Sequence, residues 1–273
     1  MQVAIPPPQT DKRQTMAKFP ENFLLLHQGE ESVRAHAIET IEKSEILSLH
    51  LAATERAADL IHYFVHRDDP VDDDDLMIRL LGIRMFNCLN ATLKLLLSGY
   101  YQASTLQHRD LIETFFLLDY FSRDRKQIAR WRMADDKTLA NEFRPVNIRK
   151  ALDEQDGFTE KKRAAAYKLF SDLAGHPHPR GFQMLKLPDG NHHCGPFFEE
   201  TPLVASVSEL GRSAIQAGGT FGLFFDPKTK KDYQVKLAFL EIHHAWVARF
   251  YEKEVLDPAK MDEMRAMIAR LPD

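Results

Sequence analysis

Apolar residues that recur every three to four positions constrain this chain more than any other feature. From Glu31 to about Arg67 the recurrence takes in Ile38, Ile41, Leu49, Leu60 and Phe64. That spacing places them on one side of an α-helix, not on alternate faces of a strand. It predicts one long helix, or two that meet near Ser44 to Ser48. The run DDPVDDDD (68–75) interrupts the pattern and opens a helix from about Leu76 to Leu97, because acidic side chains suit the positive end of the macrodipole. Further helices are expected over about Gln102 to Ser122, Arg125 to Met133 with Trp131 as anchor, and Val146 to Glu154. Thr159 reads as the N-cap of a helix through KKRAAAYKLFSDLA, which Gly175 ends and Pro177 blocks. Thr201-Pro202 and Asp257-Pro258 each offer a cap followed by proline at the first helical position. The helix from Thr201 should end near Gly218-Gly219, and another should cover about Asp232 to Val255.

Residues 181–198, GFQMLKLPDGNHHCGPFF, depart from this period. Two short extended runs flank PDGN, where Pro fixes φ and Gly accepts a positive φ, so a small β-hairpin is expected. There is no internal repeat, sustained heptad or dividing linker. The expectation is an all-α fold: a single multi-helix bundle over residues 21–273 with a hairpin insert. Residues 1–20, with their PPP run, read as a poorly ordered N-terminal arm.

The chain has 273 residues, enough for one substantial core. Its formal net charge of −4 gives no global basic field of the kind that attracts nucleic acid or anionic membranes. Two cysteines, Cys88 and Cys194, argue against a disulfide scaffold and suit a reducing cytoplasm. The apolar run near 115–118 is too short to span a bilayer, and the N-terminus lacks the apolar core of a signal peptide, so no membrane partner is expected.

The stretch LQHRDLIETFFLLDYF (106–121) carries the main functional signal. At 100° per residue Arg109, Glu113, Phe116 and Tyr120 form one stripe, with Gln102 and Leu106 before them, while Leu111, Phe115 and Leu118 lie opposite. A helix apolar on both sides is buried, and arginine and glutamate are rarely buried unless paired. As a surface pair they would contribute roughly 0.2–0.5 kcal/mol. As a buried pair, desolvation would offset their attraction. Stability therefore explains the placement poorly. The functional reading is that Glu113 orients Arg109 toward a cavity, where its guanidinium fork holds a phosphate or carboxylate. The alternative is that the two only neutralise each other.

SDLAGHPHPRG (171–181) is the second constellation. His176 should follow a helix C-terminus, which favours its protonated form. His178 and Arg180 follow in a proline-stiffened turn. Beside Arg109, these residues would make a phosphate-handling site with a proton carrier. Otherwise the histidines bond nearby carbonyls. His176, His178, His192, His193 and Cys194 are ligand types that zinc accepts, but no zinc spacing is present, so no metal or other cofactor is expected. Arg56 and His62 fit a loose R-x4–6-H pattern that chance explains. His243 and His244 point about 100° apart on a helix and read as packing. The aspartates at 68–75 do not follow the calcium-loop order. Gly218, Gly219 and Gly222 do not follow the dinucleotide fingerprint.

LLLSGYYQASTLQHRDLIETFFLLDYF, with the later YKLFSDLAGHP (167–177), resembles a bacterial helical family of unassigned activity. That family is marked by an Arg-x3-Glu helix and a Tyr–Ser–His-Pro segment. The resemblance covers roughly residues 90–180 and carries over to Arg109, Glu113, Tyr167, Ser171 and His176. More broadly the chain is similar to the HEPN superfamily of helical bundles, many of which are RNA-cleaving toxins or defence proteins acting as dimers. The chain departs from it in lacking an R-x4–6-H at the end of the bundle, since Arg56–His62 lies early.

Three functions follow as expectations. The first is a polar pocket lined by Arg109, Glu113 and His176 for an anionic ligand, a nucleotide or another phosphate-bearing molecule, with Arg109, Tyr120, Ser171, His178 and Arg180 as binding residues. The second is a metal-independent ribonuclease using Arg109, Glu113 and His176 as catalytic residues. The third is a non-enzymatic dimeric scaffold whose ionic pair serves packing specificity alone.

Overall fold

Ser44 splits the first apolar pattern in two: its Oγ accepts from the Leu47 amide at 3.3 Å and caps a new helix. The computed structural model describes residues 19–253 and 257–272. Helix α1 (Glu21–Glu42) precedes Ser44 and α2 (Glu45–Val65) follows it. Helix α1 starts well before its apolar pattern because its first turns bury nothing: Phe19, Phe23, Leu24 and Leu25 are exposed. The aspartate run behaves as charge and capping require. Asp72 Oδ1 accepts from the Asp75 amide at 2.8 Å and opens α3 (Asp73–Leu97).

Helices α4 (Tyr101–Arg123), α5 (Lys126–Arg132), α6 (Asp136–Glu142), α7 (Pro145–Gln155) and α8 (Lys162–Phe170) follow. A π-helical turn (Ser171–Gly175) extends α8, and a 3₁₀ helix (Pro179–Leu185) comes next. Helices α9 (Glu200–Gly222), α10 (Lys230–Tyr251) and α11 (Pro258–Arg270) complete the described chain.

Helix α2 lies at the centre. Ala53, Ala57, Leu60, Ile61 and Phe64 meet Val207, Leu210, Ala214 and Phe221 of α9, with α3 and α10 at the flanks. Helix α4 buries Leu111, Phe115 and Leu118 against this core. Its other side faces α7, α8 and the π turn, which places the Arg109–Glu113 stripe between two layers of helices. Helix α3 is the one described helix long and apolar enough to cross a membrane by length and composition, and it packs against α2, α4, α5 and α9.

The all-α expectation holds among the described residues; the hairpin does not. Residues 179–185 wind into the 3₁₀ helix, led by proline after His178. The PDGN turn forms with Gly190 at φ +90°, yet it closes only one isolated bridge, Lys186 to His192. The segment is too short to extend that pairing because the 3₁₀ helix consumes the first run. Thr159 and Thr201 are not caps. Helix α8 starts after Lys161, and Thr201 lies inside α9. Helix α9 runs past Gly218-Gly219 to Gly222. Most of the expected N-terminal arm, residues 1–18, lies outside the described residues, as do residues 254–256.

Candidate functional site

Three segments of the chain converge on Arg109. From α4, Glu113 Oε1 lies 3.0 Å from Arg109 Nη2, with the two side chains 25% and 22% exposed. From α8, the Tyr167 hydroxyl accepts a short hydrogen bond from the same Nη2, and the guanidinium carbon stands 4.9 Å from the Tyr167 ring centroid. From the π turn, Gly175 abuts the other end of the fork: a Cβ there would sit 2.9 Å from Arg109 Nη1. A single extra residue in the helix ladder brings Ser171 and Gly175 against α4, the geometric effect of a π bulge. Gln102 Nε2 secures the turn by donating to the Leu173 carbonyl at 3.2 Å.

A second arginine completes the group. Arg149, on α7, is 7% exposed. Its guanidinium stacks on the Tyr167 ring at 3.8 Å, so Tyr167 is flanked by two cations. Its Nε and Nη1 have no hydrogen-bond partner among the described residues, and neither do Arg109 Nε and Ser171 Oγ. Buried polar atoms are normally satisfied, so orphans gathered at one place need a cause. Burial lowers the Arg149 pKa, against the attraction of Tyr167 and Glu113. Burial also opposes the charge on Arg109, but Tyr167 and Glu113 outweigh it and raise its pKa.

The surroundings hold further charge. Arg84 pairs with Asp110, whose Oδ2 accepts from the Cys88 thiol at 3.0 Å. Burial, then that bond, pushes the thiol up to about 12. A cavity of about 190 Å³ opens beside Arg109, Glu113, Asp110 and Gln107. A second, of about 240 Å³, adjoins Glu113 and Asp110 and is walled by Phe116, Leu117, Trp131, Phe143 and Ile148.

The other residues singled out by sequence make no hydrogen bond or ion pair with Arg109 or Arg149 among the described residues. His176 is exposed and makes no hydrogen bond or ion pair with Arg109. His178 Nδ1 accepts from the Arg180 amide at 3.2 Å, a local turn contact, and Arg180 donates to Asp172 at 3.3 Å alongside Lys168. Tyr120 is half-buried near Phe143, ring centroids 6.4 Å apart. Arg56 is tied to Asp59, and His62 lies against His66 and Phe86. Among the described residues no group of three or more His, Cys, Asp or Glu is placed to hold a metal ion.

Sequence reasoning missed Arg149. Its one signal was its place between Ile148 and Leu152 on the buried side of a short helix. It also missed His108, whose Nε2 shares a 2.6 Å hydrogen bond with Ser213 Oγ. In a cleft that pair would suggest a base and a nucleophile. Here both are buried, at 3% and 5% exposure, out of reach of any substrate. No protein-family model, curated protein or solved structure matches the chain.

Proposed function

We propose that the protein binds a small phosphate-bearing ligand, with Arg149 and Arg109 gripping the anionic group. The observation that carries this is Arg149: a side chain nine-tenths buried, with two nitrogens unbonded and no carboxylate of its own among the described residues. Glu113 is already the ion-pair partner of Arg109, and Asp110 that of Arg84. The cluster is therefore one negative charge short. A buried unpaired charge is costly, and a phosphate oxygen pair would satisfy the open guanidinium donors in a geometry that suits them. Ser171 Oγ and Arg109 Nε offer further donors. The aromatic wall of the adjoining cavity, with Trp131 and Phe143, suits a planar body such as a nucleobase. A nucleotide is thus favoured over inorganic phosphate.

The ribonuclease reading gives the proton transfer to His176, which is exposed and makes no hydrogen bond or ion pair with Arg109 among the described residues. Binding is the better-supported activity. Thermal unfolding with AMP, inorganic phosphate and adenosine tests it. AMP at about one hundred times its dissociation constant should stabilise the protein by about 2.7 kcal/mol, with phosphate weaker and adenosine weaker still. Absence of any shift with phosphate esters at millimolar concentration would end this reading.

A further inference from the structure

Helix α9 carries two adjacent glycines that the packing treats differently. At Gly218 a Cβ would meet the Phe239 ring at 2.5 Å, so only glycine fits. At Gly219 a Cβ would meet nothing within 4 Å. Glycine inside a helix is destabilising relative to alanine, so Gly219 is a cost that the fold itself does not require. It lies where two cavities touch. One, of about 560 Å³, runs between α4, α8 and α9 and is walled by Phe115, Phe116, Phe158 and Ile215. The other, of about 440 Å³, runs between α9, α10 and α11 and is walled by Leu237, Leu240, Met264 and Ile268. Gly219 and His243 line both. Any larger side chain at 219 would stand in the passage between them.

The charges along this trough are unequal. In the first cavity Asp119 pairs with Arg123, Arg163 with Asp153, and Lys162 with Glu160. In the second, the wall residues that can carry positive charge are Lys236 and His243, and burial lowers the pKa of each. Lys236 Nζ donates to the Gly222 carbonyl at 3.0 Å, lies 5.6 Å from the Phe64 ring centroid, and has no carboxylate within ion-pair distance among the described residues. An ammonium group has three donors, and the Gly222 carbonyl takes one of them. The combination of mostly apolar walls with one convergent polar group is that of a small-molecule site.

We propose that this trough binds a long-chain monocarboxylate, its carboxylate on Lys236 and its alkyl chain passing over Gly219 to the phenylalanine-lined end. From Gly222 to Ile215 the floor is about 10 Å long at the helical rise, which suits an alkyl chain better than a compact ligand. The Lys236 end lies apart from the arginine cluster, and Phe116 is the one wall residue that the trough shares with the cavity beside Glu113.

Calorimetric titration with octanoate, decanoate and dodecanoate tests the proposal on the full chain. Saturable binding is expected, tightening about fourfold for each added CH₂. Gly219→Leu should weaken dodecanoate binding at least about tenfold, as overpacking of a filled site requires, while thermal stability stays level or rises. Lys236→Met should weaken dodecanoate about tenfold or more, the worth of a charged hydrogen bond, and leave dodecan-1-ol binding unchanged. No saturable binding of dodecanoate, or wild-type affinity in either variant, would overturn the proposal.

Discussion

Replacing Arg149 by methionine separates a binding residue from a structural one. The side chain is 7% exposed, and two of its nitrogens are unbonded. Burying such a charge costs about 3 kcal/mol or more after relaxation. Its main compensation is the stack on Tyr167 at 3.8 Å, which contributes about 1–2 kcal/mol when desolvated, with a weaker attraction to Glu113, which Arg109 already neutralises. Glu113 loses little on substitution, because Arg109 remains its partner at 3.0 Å. Methionine keeps most of the buried apolar stem and fills irregular space well. The balance favours the variant by about 1–2 kcal/mol in the absence of ligand. For a chain of this size that is a rise in Tm of about 2–8 °C. Urea unfolding with a common slope, checked by calorimetry, measures it. The same variant should lose AMP binding. A loss of stability of about 2 kcal/mol or more would show that Arg149 holds Glu113 or Tyr167 in place, and the unpaired-charge argument would fail.

Gly175→Ala should push Arg109 Nη1 away from the π turn, since the added Cβ would lie 2.9 Å from it; phosphate-ester affinity in titration calorimetry should fall about tenfold, the scale of one good charged hydrogen bond. His50 and His108 are buried and accept or share hydrogen bonds with Trp246 and Ser213. Burial, first, brings each pKa down to about 4. Unfolded histidine binds a proton near pH 6.5, so the unfolded state takes up more protons below that value and stability falls as pH drops from about 6.5 toward 4. Each should cost about 2 kcal/mol between pH 7.5 and pH 5, read from urea midpoints, and His108→Gln should flatten its share of the slope. In native protein an aromatic disulfide reagent should titrate Cys194, which is exposed, and spare Cys88, which is buried and bonded to Asp110. Reaction of both thiols at the same rate would contradict the buried contact.

The apolar period made most helices legible because α2, α3, α4 and α9 each bury a side and announce it in sequence. Helix α1 was legible only in its second half, where Ala37 and Ile41 touch the core. The hairpin expectation failed for a local reason: PDGN forms its turn, but the preceding residues gain more from a 3₁₀ helix led by Pro179 than from pairing. At the site, the four-residue spacing of Arg109 and Glu113 was readable as a pair, and the structure brings Tyr167 and Ser171 to them. Arg149 was readable only as a neighbour of Ile148 and Leu152 on one side of α7. It comes from a short, mostly polar helix, and its burial depends on how α7 packs against α4 and α8, which no local pattern encodes. His176 looked attractive because it follows Gly175, yet the backbone turns out into solvent after the π turn and carries the ring with it.

The Arg149 Nε–H group itself is the most direct witness. In protein labelled with ¹⁵N-arginine, its Nε–H correlation can be assigned by its loss in Arg149→Met and followed during titration with AMP. The expected result is a saturable shift of that signal, joined by the Arg109 signal, with surface arginines such as Arg56 unmoved. A stationary Arg149 signal while AMP binds, or no binding at all, would contradict the claim that this guanidinium exists to hold an anion.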